Sequence, residues 1–387
     1  MKKKSKSNKK IFIPVSKPVI TEGDAKRVYK VIKSGWISSA GSDIKLFEKN
    51  LSKFVNRKYA CTVSNGTAAL EIAVKSLELN KNDEVLMPSF TIISNAIAII
   101  KNFAKPVLID SELDTWNIDV EKIEKKISKK TKAIMLPHIY GFPCNMDAIQ
   151  KICKKYKLYL IEDAAEMLGQ KFKKKHCGSF GDISTFSFYA NKHITTGEGG
   201  MVLTNNKNLY KKIKDLKNLN FGKINRFNHT DISWNYRFTN MQASLGVSQL
   251  KRINQIIKKK RYIGNYYYKN FKDNKNILIQ PQKKSYAKNI YWIYGIVLKK
   301  NSLKYKALIQ KKLLKQGIET RPFFWPMHKQ DIFKKLKLFA GEKYPNAEFL
   351  SNNGFYIPSS IDLTDKQLKY VADKVNSITQ KHYPVFS

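Results

Sequence analysis

Residues 184–200 read STFSFYANKHITTGEGG, in which one lysine stands between a strand-like run and a glycine-rich turn. The alternation from Ser184 to Phe188 predicts a β-strand, and the glycines that follow permit tight, left-handed backbone turns. Aromatic and β-branched neighbours predict that Lys192 is buried. Burial lowers the pKa of a lysine, and the neutral amine that results is a nucleophile. The stretch therefore predicts a strand that ends beside a reactive amine.

Short apolar runs alternate with helical patterns around this stretch, from about residue 59 to residue 213. Such alternation predicts an α/β fold, with a mostly parallel central sheet covered by helices on both faces. Ligand sites in these sheets lie beyond the carboxyl ends of the strands. The predicted strands are 60–63, 84–87, 106–109, 132–136, 158–161, 183–188 and 200–203, and the predicted helices are 67–77, 91–101, 120–127 and 146–156.

Beyond residue 240 the pattern changes to long helices and few strands. The predicted elements there are one long helix over 241–268, a strand over 291–298, and helices over 303–316 and 365–379. We expect a disordered basic tail over residues 1–10, a large domain over 11–250 and a smaller C-terminal α+β domain over 251–387. A chain of 387 residues is long enough for two such domains and a deep site.

The composition is strongly basic, with 72 Lys and Arg residues against 30 Asp and Glu and a formal net charge of +42. The excess is mostly lysine spread along the chain, whereas a nucleic-acid module concentrates Arg, Lys and aromatic residues on one element. We therefore expect no nucleic-acid partner, although a nucleic-acid-binding regulator built on an inactive enzyme is the alternative. An anionic, nucleotide-bearing substrate would be attracted by this field.

The four cysteines, Cys61, Cys144, Cys153 and Cys177, show no CxxC spacing and no metal-ligand pattern with the histidines. They predict reduced thiols in a cytoplasmic protein without a metal site. No apolar run approaches the roughly 18 residues of a membrane span. The basic start, MKKKSKSNKK, lacks the apolar core of a secretory signal. We expect no membrane partner.

Two further segments carry polar groups at the ends of predicted strands. The first, SNGTAAL, opens a helix after a strand, so Gly66, Thr67 and the free N–H groups of the helix suit a phosphate. The second, YLIEDAAE, ends a strand in Glu162 and Asp163, where a carboxylate can bond a protonated ring nitrogen. Each segment alone also fits an ordinary helix cap or turn.

A pyridoxal phosphate enzyme needs a lysine for the cofactor aldehyde, a carboxylate for the ring nitrogen and a cradle for the phosphate. Lys192, Asp163 and the segment that begins at Gly66 provide all three, each at the end of a predicted strand. The sequence therefore predicts a pyridoxal phosphate site.

From about residue 13 to the last helix, the chain resembles the DegT family of nucleotide-sugar aminotransferases, which are fold-type I pyridoxal phosphate enzymes. The motifs that carry the resemblance are IPVSKPVI, SGWIS, SNGTAAL, PSFT, PHIYGFPCNMD, IEDAAE, FSFYANKHITTGEGG, WNYRFTNMQASLG and NGFYIPSS. It implies a homodimer with shared active sites that takes the amino group of L-glutamate and passes it to a nucleoside-diphosphate keto-sugar.

The resemblance also implies roles for the cofactor-binding residues. Lys192 would bind the cofactor covalently and Asp163 would pair with the pyridine nitrogen. The phosphate would be held by Gly66, Thr67 and Ser187.

Other positions are implied to lie at the edge of the cofactor or toward the substrate. Asn235 would reach the phosphate of the partner subunit, and Glu166 would lie near the cofactor ring. Trp36, Arg321 and His328 would face the sugar nucleotide; packing within the small domain is the alternative for these three.

Two positions depart from the family pattern. Many members carry an aromatic residue after the threonine of PxxT, to stack on the ring, but here the residue is Ile92. Either Ile92 packs against the ring or Phe90 compensates. His193 directly follows the lysine, and we expect no catalytic role for it because adjacent residues on a turn commonly point elsewhere.

Within the family, SFYANKHITTGEGGM and RPFFWPMH look most like enzymes that act on 4-keto-6-deoxy sugars. A 3-keto-sugar aminotransferase is one alternative. A pyridoxamine-dependent sugar 3-dehydratase is another, but that branch carries His in place of the lysine, and Lys192 argues against it.

Overall fold

The computed structural model describes residues 11–222, 224–300 and 302–381, so the tail predicted over residues 1–10 lies outside the described residues. The strands are β1 (Tyr59–Val63), β2 (Glu84–Pro88), β3 (Lys105–Ile109), β4 (Thr131–Pro137), β5 (Tyr159–Asp163), β6 (Lys171–Phe172), β7 (Lys175–His176), β8 (Ile183–Ser187), β9 (Gly200–Thr204), β10 (Ile277–Leu278), β11 (Lys283–Lys284), β12 (Ala287–Lys288), β13 (Tyr294–Leu298), β14 (Arg321–Pro322) and β15 (Gly354–Ile357). The helices are α1 (Glu22–Lys33), α2 (Ser42–Val55), α3 (Gly66–Ser76), α4 (Ser94–Lys101), α5 (Met146–Tyr156), α6 (Lys207–Leu216), α7 (Asn240–Lys251), α8 (Ile253–Phe271), α9 (Leu303–Lys315), α10 (Asp331–Lys335), α11 (Pro345–Asn353) and α12 (Asp365–Lys381).

A seven-stranded sheet with the order β1-β9-β8-β5-β4-β2-β3 forms the centre of the molecule. The pairs β8–β5, β5–β4, β4–β2 and β2–β3 are parallel, while β9 runs antiparallel to both of its neighbours. These are the seven strands predicted from the apolar runs, each to within two residues at either end. The carboxyl ends of the parallel strands share one edge, and ligand sites are expected there.

The sheet is apolar on both faces because helices cover both of them. Along β5, Leu160 packs into the core that includes α2, α5 and α7, whereas the next residue, Ile161, packs into the core that includes α3 and α4. Side chains alternate between faces along a strand, so a strand buried on both sides reads as a continuous apolar run. This pattern confirms the predicted α/β class.

A second sheet, with the order β10-β13-β15-β14, lies in the C-terminal part of the chain and is antiparallel. Its own core includes residues of α8, α9 and α12, together with Ile13 from the start of the described chain. Helix α8 contributes Ile256 to a core of the large sheet and Tyr267 to the core of the small one. The domain boundary near residue 250 stays a prediction.

Two predicted helices differ from the structure. Residues 120–127 form two short 3-10 turns, Val120–Lys122 and Glu124–Lys126, and Ile127 is already extended, with ψ of 129°, where the chain turns toward β4. The helix predicted over 241–268 is broken into α7 and α8 at Arg252. The Arg252 guanidinium bonds the buried Asp24 at 2.7 Å, a tertiary contact that the helical periodicity does not reveal.

Among the helices of the described ranges, none is both long enough and apolar enough to cross a lipid bilayer.

Candidate active site

A cavity of about 680 Å³ opens at the carboxyl edge of the large sheet, where β4, β5 and β8 end. The small sheet contributes to its wall, since Tyr356 of β15 lines it and so does Trp292, two residues before β13. The cavity brings together most of the residues predicted for the cofactor. Those that line it are Gly66, Thr67, Asp163, Glu166, Ser187 and Lys192.

Lys192 lies on the loop that joins β8 to β9. A turn places it there, because its backbone N–H donates to the carbonyl of Tyr189 at 2.9 Å. The two ends of the loop are tied by hydrogen bonds of Phe188, whose N–H donates to the carbonyl of Gly199 and whose carbonyl accepts from Thr196 N. Gly197 has a φ of +82°, which the left-handed turn requires. These hydrogen bonds hold Lys192 on the loop that follows the buried strand β8.

The Lys192 amine is held between a carboxylate and an aromatic ring. Its Nζ lies 3.9 Å from Oε1 of Glu166 and 3.8 Å from the centre of the Trp292 ring. Burial lowers the pKa of Lys192, against the charges of Glu166 and Asp163 that favour the ammonium. Burial also raises the pKa of Glu166 to about 8. Desolvation thus pushes both members of the pair toward their neutral forms, and a neutral amine is a nucleophile.

Asp163 ends β5 beside this amine and is almost fully buried. Its Oδ2 accepts a hydrogen bond from Asn95 Nδ2 at 3.1 Å, and its Oδ1 accepts one from the N–H of Ala165 at 3.1 Å. Burial raises the pKa of Asp163 despite these bonds. A carboxylate offers about four lone-pair sites, so it has capacity for a further donor such as a protonated ring nitrogen.

The N-terminus of α3 lines one part of the cavity. Asn65 caps the helix by accepting from the N–H of Ala68 at 2.8 Å, and Gly66 and Thr67 form the first turn. The Thr67 hydroxyl bonds the Ser94 hydroxyl at 2.9 Å. A Cβ placed on Gly66 would lie 2.9 Å from Cβ of Ser187, so a glycine is required there. Free N–H groups and the positive end of the helix dipole favour a phosphate.

A buried polar cluster supports the strand end from behind. Glu162 accepts hydrogen bonds from His138 Nε2 at 3.2 Å and from the N–H groups of Gly178, Phe180 and Gly181. Burial opposes ionisation of Glu162, yet these bonds hold its pKa below the usual value. His138, Glu162 and Cys177 lie close enough together to be possible metal ligands, and burial raises the pKa of the Cys177 thiol well above its usual value. The hydrogen bonds of Glu162 support the end of β5.

The chain matches the DegT/DnrJ/EryC1/StrS aminotransferase family over residues 18–376. It belongs to this family. GDP-perosamine synthase of Escherichia coli O157:H7 is 39% identical over 366 residues, which cover 94% of this chain and 98% of that protein. GDP-perosamine synthase of Vibrio cholerae is 37% identical over 369 residues, which cover 95% of this chain and 99% of that protein.

The fold is also that of solved family structures. The putative sugar aminotransferase Spr1654 from Streptococcus pneumoniae, solved in its PMP form, superposes with a TM-score of 0.90 at 26% identity. The superposition covers 96% of this chain and 98% of that one. The predicted fold-type I architecture, the aminotransferase activity and the pyridoxal phosphate cofactor are confirmed by membership of the family.

The residues of the cavity fit this cofactor. The buried hydroxyl of Thr185 faces the cavity and has no hydrogen-bond partner within residues 11–222, 224–300 and 302–381. Asp163 has spare acceptor capacity, and Gly66 leaves open the first turn of α3. A polar ring can bond Thr185 and Asp163, and a phosphate group can bind at the first turn of α3. The apolar part of the cavity lining suits the ring faces.

Four predicted residues lie outside the cavity of their own subunit. Asn235 is exposed and pairs with Asn218 through an isolated β-bridge. Trp36 is 65% exposed and lies beside a separate cavity. Arg321 is exposed, forms an ion pair with Glu319 at 2.7 Å, and pairs in register with the cavity residue Tyr356. These three positions are open to a substrate or a second subunit.

The fourth, His328, is buried and occupied on both ring nitrogens. Its Nδ1 bonds the Ser89 hydroxyl at 2.8 Å and its Nε2 bonds Glu348 at 2.9 Å. No ring nitrogen is left for a sugar nucleotide in this arrangement. His328 connects Ser89, which follows β2 of the large sheet, to Glu348 of α11, and its role toward a sugar nucleotide stays a prediction.

The structure describes both positions that depart from the family pattern. Ile92 lines the cavity and is 42% exposed, whereas Phe90 is fully buried against Tyr140, so of these two residues only Ile92 reaches the cavity. His193 is buried away from the cavity lining. Burial, reinforced by the charges of Lys260 and Lys192, lowers the pKa of His193 well below the usual value. No catalytic role for His193 is needed.

Several cavity residues were not predicted from the sequence. Trp292, Phe324 and Tyr356 form an aromatic wall opposite the sheet edge, and Asn95 reaches Asp163 from α4. The position of Asn95, seven residues after the proline of PSFT, was the available signal for its role. The aromatic wall gave no signal of its own, because aromatic residues are abundant throughout the C-terminal part.

Proposed function

We propose that this protein transfers the amino group of L-glutamate to C4 of a nucleoside-diphosphate 4-keto-6-deoxy sugar, as a GDP-perosamine synthase does. The observation that carries the proposal is the buried Lys192 amine beside Asp163 at the sheet edge. The curated relatives named GDP-perosamine synthase cover nearly the whole chain and support the choice of sugar carbon and nucleotide. The pathway would be amino-sugar and polysaccharide biosynthesis.

Pyridoxal phosphate, when bound, supplies an electron sink for the pair of electrons released from the carbon that loses a proton. In this chain, Lys192 would bind it covalently and Asp163 would keep its ring nitrogen protonated. Gly66, Thr67 and Ser187 would hold the phosphate at the N-terminus of α3, where a side chain on residue 66 would meet Ser187.

The proton chemistry falls to Lys192. Burial favours its neutral form, so Nζ can accept the α proton of L-glutamate and later deliver a proton to the sugar carbon. Glu166 lies close enough to stabilise the ammonium while Nζ holds that proton. Its other oxygen accepts from the N–H of Tyr140 at 2.6 Å, which fixes the carboxyl group in place. The pair can therefore store one proton inside the cavity.

The second subunit of a homodimer would complete the site. Asn235 is exposed on its own chain and stands next to Tyr236, which lines the cavity. A partner's Asn235 would reach the cofactor phosphate, and the exposed Trp36 and Arg321 would face the sugar nucleotide. The net charge of +42 would draw this anionic substrate toward the enzyme.

We place the reaction in the cytoplasm. The four cysteines are free thiols, and three of them, Cys61, Cys144 and Cys177, are buried. Such thiols persist in a reducing compartment.

The test combines a variant with product analysis. Lys192→Ala should lose both the cofactor's visible absorption band and all transfer to a keto-sugar nucleotide, whereas the same change at the exposed Lys81 should alter neither. Transfer at the wild-type rate by Lys192→Ala would refute the proposal. Mass spectrometry with a panel of GDP-, UDP- and dTDP-linked 3-keto and 4-keto sugars identifies the substrate. A deoxygenated product would instead indicate a 3-dehydratase, and amination at C3 would indicate the 3-keto-sugar alternative.

A further inference from the structure

Lys260 is a lysine in the middle of α8 that is 95% removed from solvent. Its Nζ donates hydrogen bonds to the carbonyls of Trp292 and Ser359, each at 2.8 Å. Within the described ranges, no carboxylate forms an ion pair with it. Burying an ammonium group without a counter-charge costs folding free energy. The two hydrogen bonds of Lys260 to backbone carbonyls are therefore candidates for a functional role.

The two carbonyls belong to the end of a strand pair. Strands β13 and β15 are antiparallel, and their last paired residues at this end are Tyr294 and Ile357. Continuing the register by two residues brings Trp292 opposite Ser359. The ladder has separated there, and the Lys260 amine bridges the two strands where backbone hydrogen bonds no longer do.

The bridge does not depend on the charge of Lys260. Burial lowers the pKa of its amine to about 7, so both forms are present near neutral pH. The ammonium has three N–H bonds and the neutral amine has two, and two bonds are enough for two carbonyls. The connection between the strands is therefore kept in either form.

The bridged residue Trp292 is part of the active site. Its indole Nε1 donates to the carbonyl of Asn191 at 2.9 Å, one residue before the reactive lysine. The face of the same ring lies 3.8 Å from Lys192 Nζ. Trp292 is thus held at its backbone by Lys260 and at its indole nitrogen by the lysine loop.

We propose that Lys260 is a positioning residue, which fixes the Trp292 ring against the Lys192 amine by bridging Trp292 to Ser359. The proposal rests on the proposed function in one respect, namely that Lys192 is the reacting amine. Without the bridge, two buried carbonyls lose their donor and the separated ends of β13 and β15 can move apart. The ring would then leave the position that restricts the Lys192 side chain, and a displacement of about 1 Å at a reacting group can cost up to roughly a hundredfold in rate.

A direct test observes Trp292 in the apo protein. The chain has five tryptophans, so 5-fluorotryptophan labelling gives a simple fluorine NMR spectrum in which Trp292→Phe identifies the Trp292 signal. Lys260→Met, which keeps the length and apolar stem of the side chain, should shift or broaden that signal. An unchanged Trp292 signal in Lys260→Met would overturn the proposal.

Lys306 provides the matched control. It is also a buried lysine on a helix, with Nζ donating to the carbonyl of Ser351 at 2.7 Å, and burial lowers its pKa to about 8. It lies outside the lining of the active-site cavity. Lys306→Met should leave the Trp292 signal unchanged. If Lys306→Met shifts the signal as much as Lys260→Met does, the shift is a general effect of losing a buried lysine, and the proposal would be overturned.

Kinetics then connect the position of the ring to the reaction. Lys260→Met should lower kcat about tenfold with little change in KM, and should have almost no further effect in the Trp292→Phe background, because both changes remove the same restraint. Equal effects in the two backgrounds would overturn the proposal. If Lys260→Met does not fold, Lys260→Gln, whose shorter side chain cannot span the same two carbonyls, should shift or broaden the Trp292 signal relative to wild type, and an unchanged signal would overturn the proposal. The fluorine spectrum is recorded without cofactor. A wild-type protein without transaminase activity would refute the proposed function, but the fluorine spectra would still show whether Lys260 positions Trp292.

Discussion

Lys192 and Glu166 form a buried pair at the sheet edge, with Nζ of one 3.9 Å from Oε1 of the other. Burial lowers the pKa of the lysine and raises that of the glutamate to about 8, so desolvation favours the neutral form of both groups. The charge of each still favours the charged form of the other. The pair therefore links the protonation of the Lys192 amine to that of the Glu166 carboxyl group, with a further contribution from Asp163.

Replacement of Glu166 should make the Lys192 amine neutral at lower pH. The carboxylate stabilises the ammonium, so Glu166→Gln, which keeps the shape of the side chain, should lower the pKa of Lys192 further. Competitive acetylation of the apo protein over a pH range, with peptide mass spectrometry, measures the midpoint for Lys192. Glu198→Gln is the control, because Glu198 also lines the cavity but is not among the groups that shift the pKa of Lys192. A midpoint that rises in Glu166→Gln would contradict the assigned coupling.

The cradle at the start of α3 predicts a specific loss of cofactor affinity. In Gly66→Ala the new methyl group would lie 2.9 Å from Cβ of Ser187, which must shift from the proposed phosphate position. We expect the Kd for pyridoxal phosphate to rise by about tenfold or more, which corresponds to loss of one charge-assisted hydrogen bond. Gly23→Ala is the control, since Gly23 also lies in the first turn of a helix and has room for a methyl group. Equal affinities for the two variants would argue against a phosphate at this helix.

Asn95 should influence the pKa of Asp163, the carboxyl group that we propose pairs with the ring nitrogen of the cofactor. Its side chain donates to Asp163 Oδ2 at 3.1 Å, and this bond lowers the pKa of Asp163 against the larger effect of burial. Asn95→Ala should raise that pKa further and reduce kcat by about tenfold, a typical cost for one hydrogen bond to a charged group. Asn102→Ala removes a buried asparagine at the other end of α4, where it bonds the carbonyls of Glu71 and Ala98. That control should lose stability without a comparable loss of kcat.

Lys260 should make the stability of the apo protein increase with pH. Its pKa is lowered by burial from 10.5 to about 7, so between these values the unfolded chain binds a proton that the folded chain does not. The free energy of unfolding then rises with pH across this window, and the contribution is lost as pH falls through about 7. Relative to Lys260→Met, the wild-type protein should gain on the order of a few kcal/mol from the bottom to the top of the window.

Urea unfolding of the apo protein at several pH values measures this difference. Lys306→Met serves for comparison, because the pKa of Lys306 is lowered only to about 8 and its window is narrower. A difference between wild type and Lys260→Met that is independent of pH would show that Lys260 titrates alike in the folded and unfolded chains.

The large sheet was predictable because its strands are buried on both faces. Such strands read as uninterrupted apolar runs, and Asp163 and Lys192 could be placed because Asp163 ends one of them and Lys192 lies on the loop that follows another. The helix over 120–127 could not be excluded in the same way, since its isoleucine spacing suits an α-helix and the 3-10 turns arise from the path toward β4.

The aromatic residues that line the active-site cavity could not be predicted from the sequence. Trp292 and Tyr356 lie about a hundred residues or more beyond Lys192 in the chain, and only the packing of the small sheet on the large one brings them to the cavity. The same holds for His328, whose bonds to Ser89 and Glu348 join three distant segments. Local patterns identify groups at strand ends, but they carry no information on which distant side chains meet them.

The reversed direction of β9 has a consequence for how the active site is assembled during folding. Strands β8 and β9 pair at five positions, from Ile183 with Thr204 to Ser187 with Gly200, so the lysine loop is the closed end of a hairpin. Closing the loop over residues 188–199 is a local event, and the entropy cost of loop closure grows only slowly with loop length. The parallel pairing that brings Asp163 alongside requires a longer connection and is intrinsically slower. Lys192 thus lies within a local unit, whereas its contact with Asp163 depends on the parallel pairing of β5 with β8.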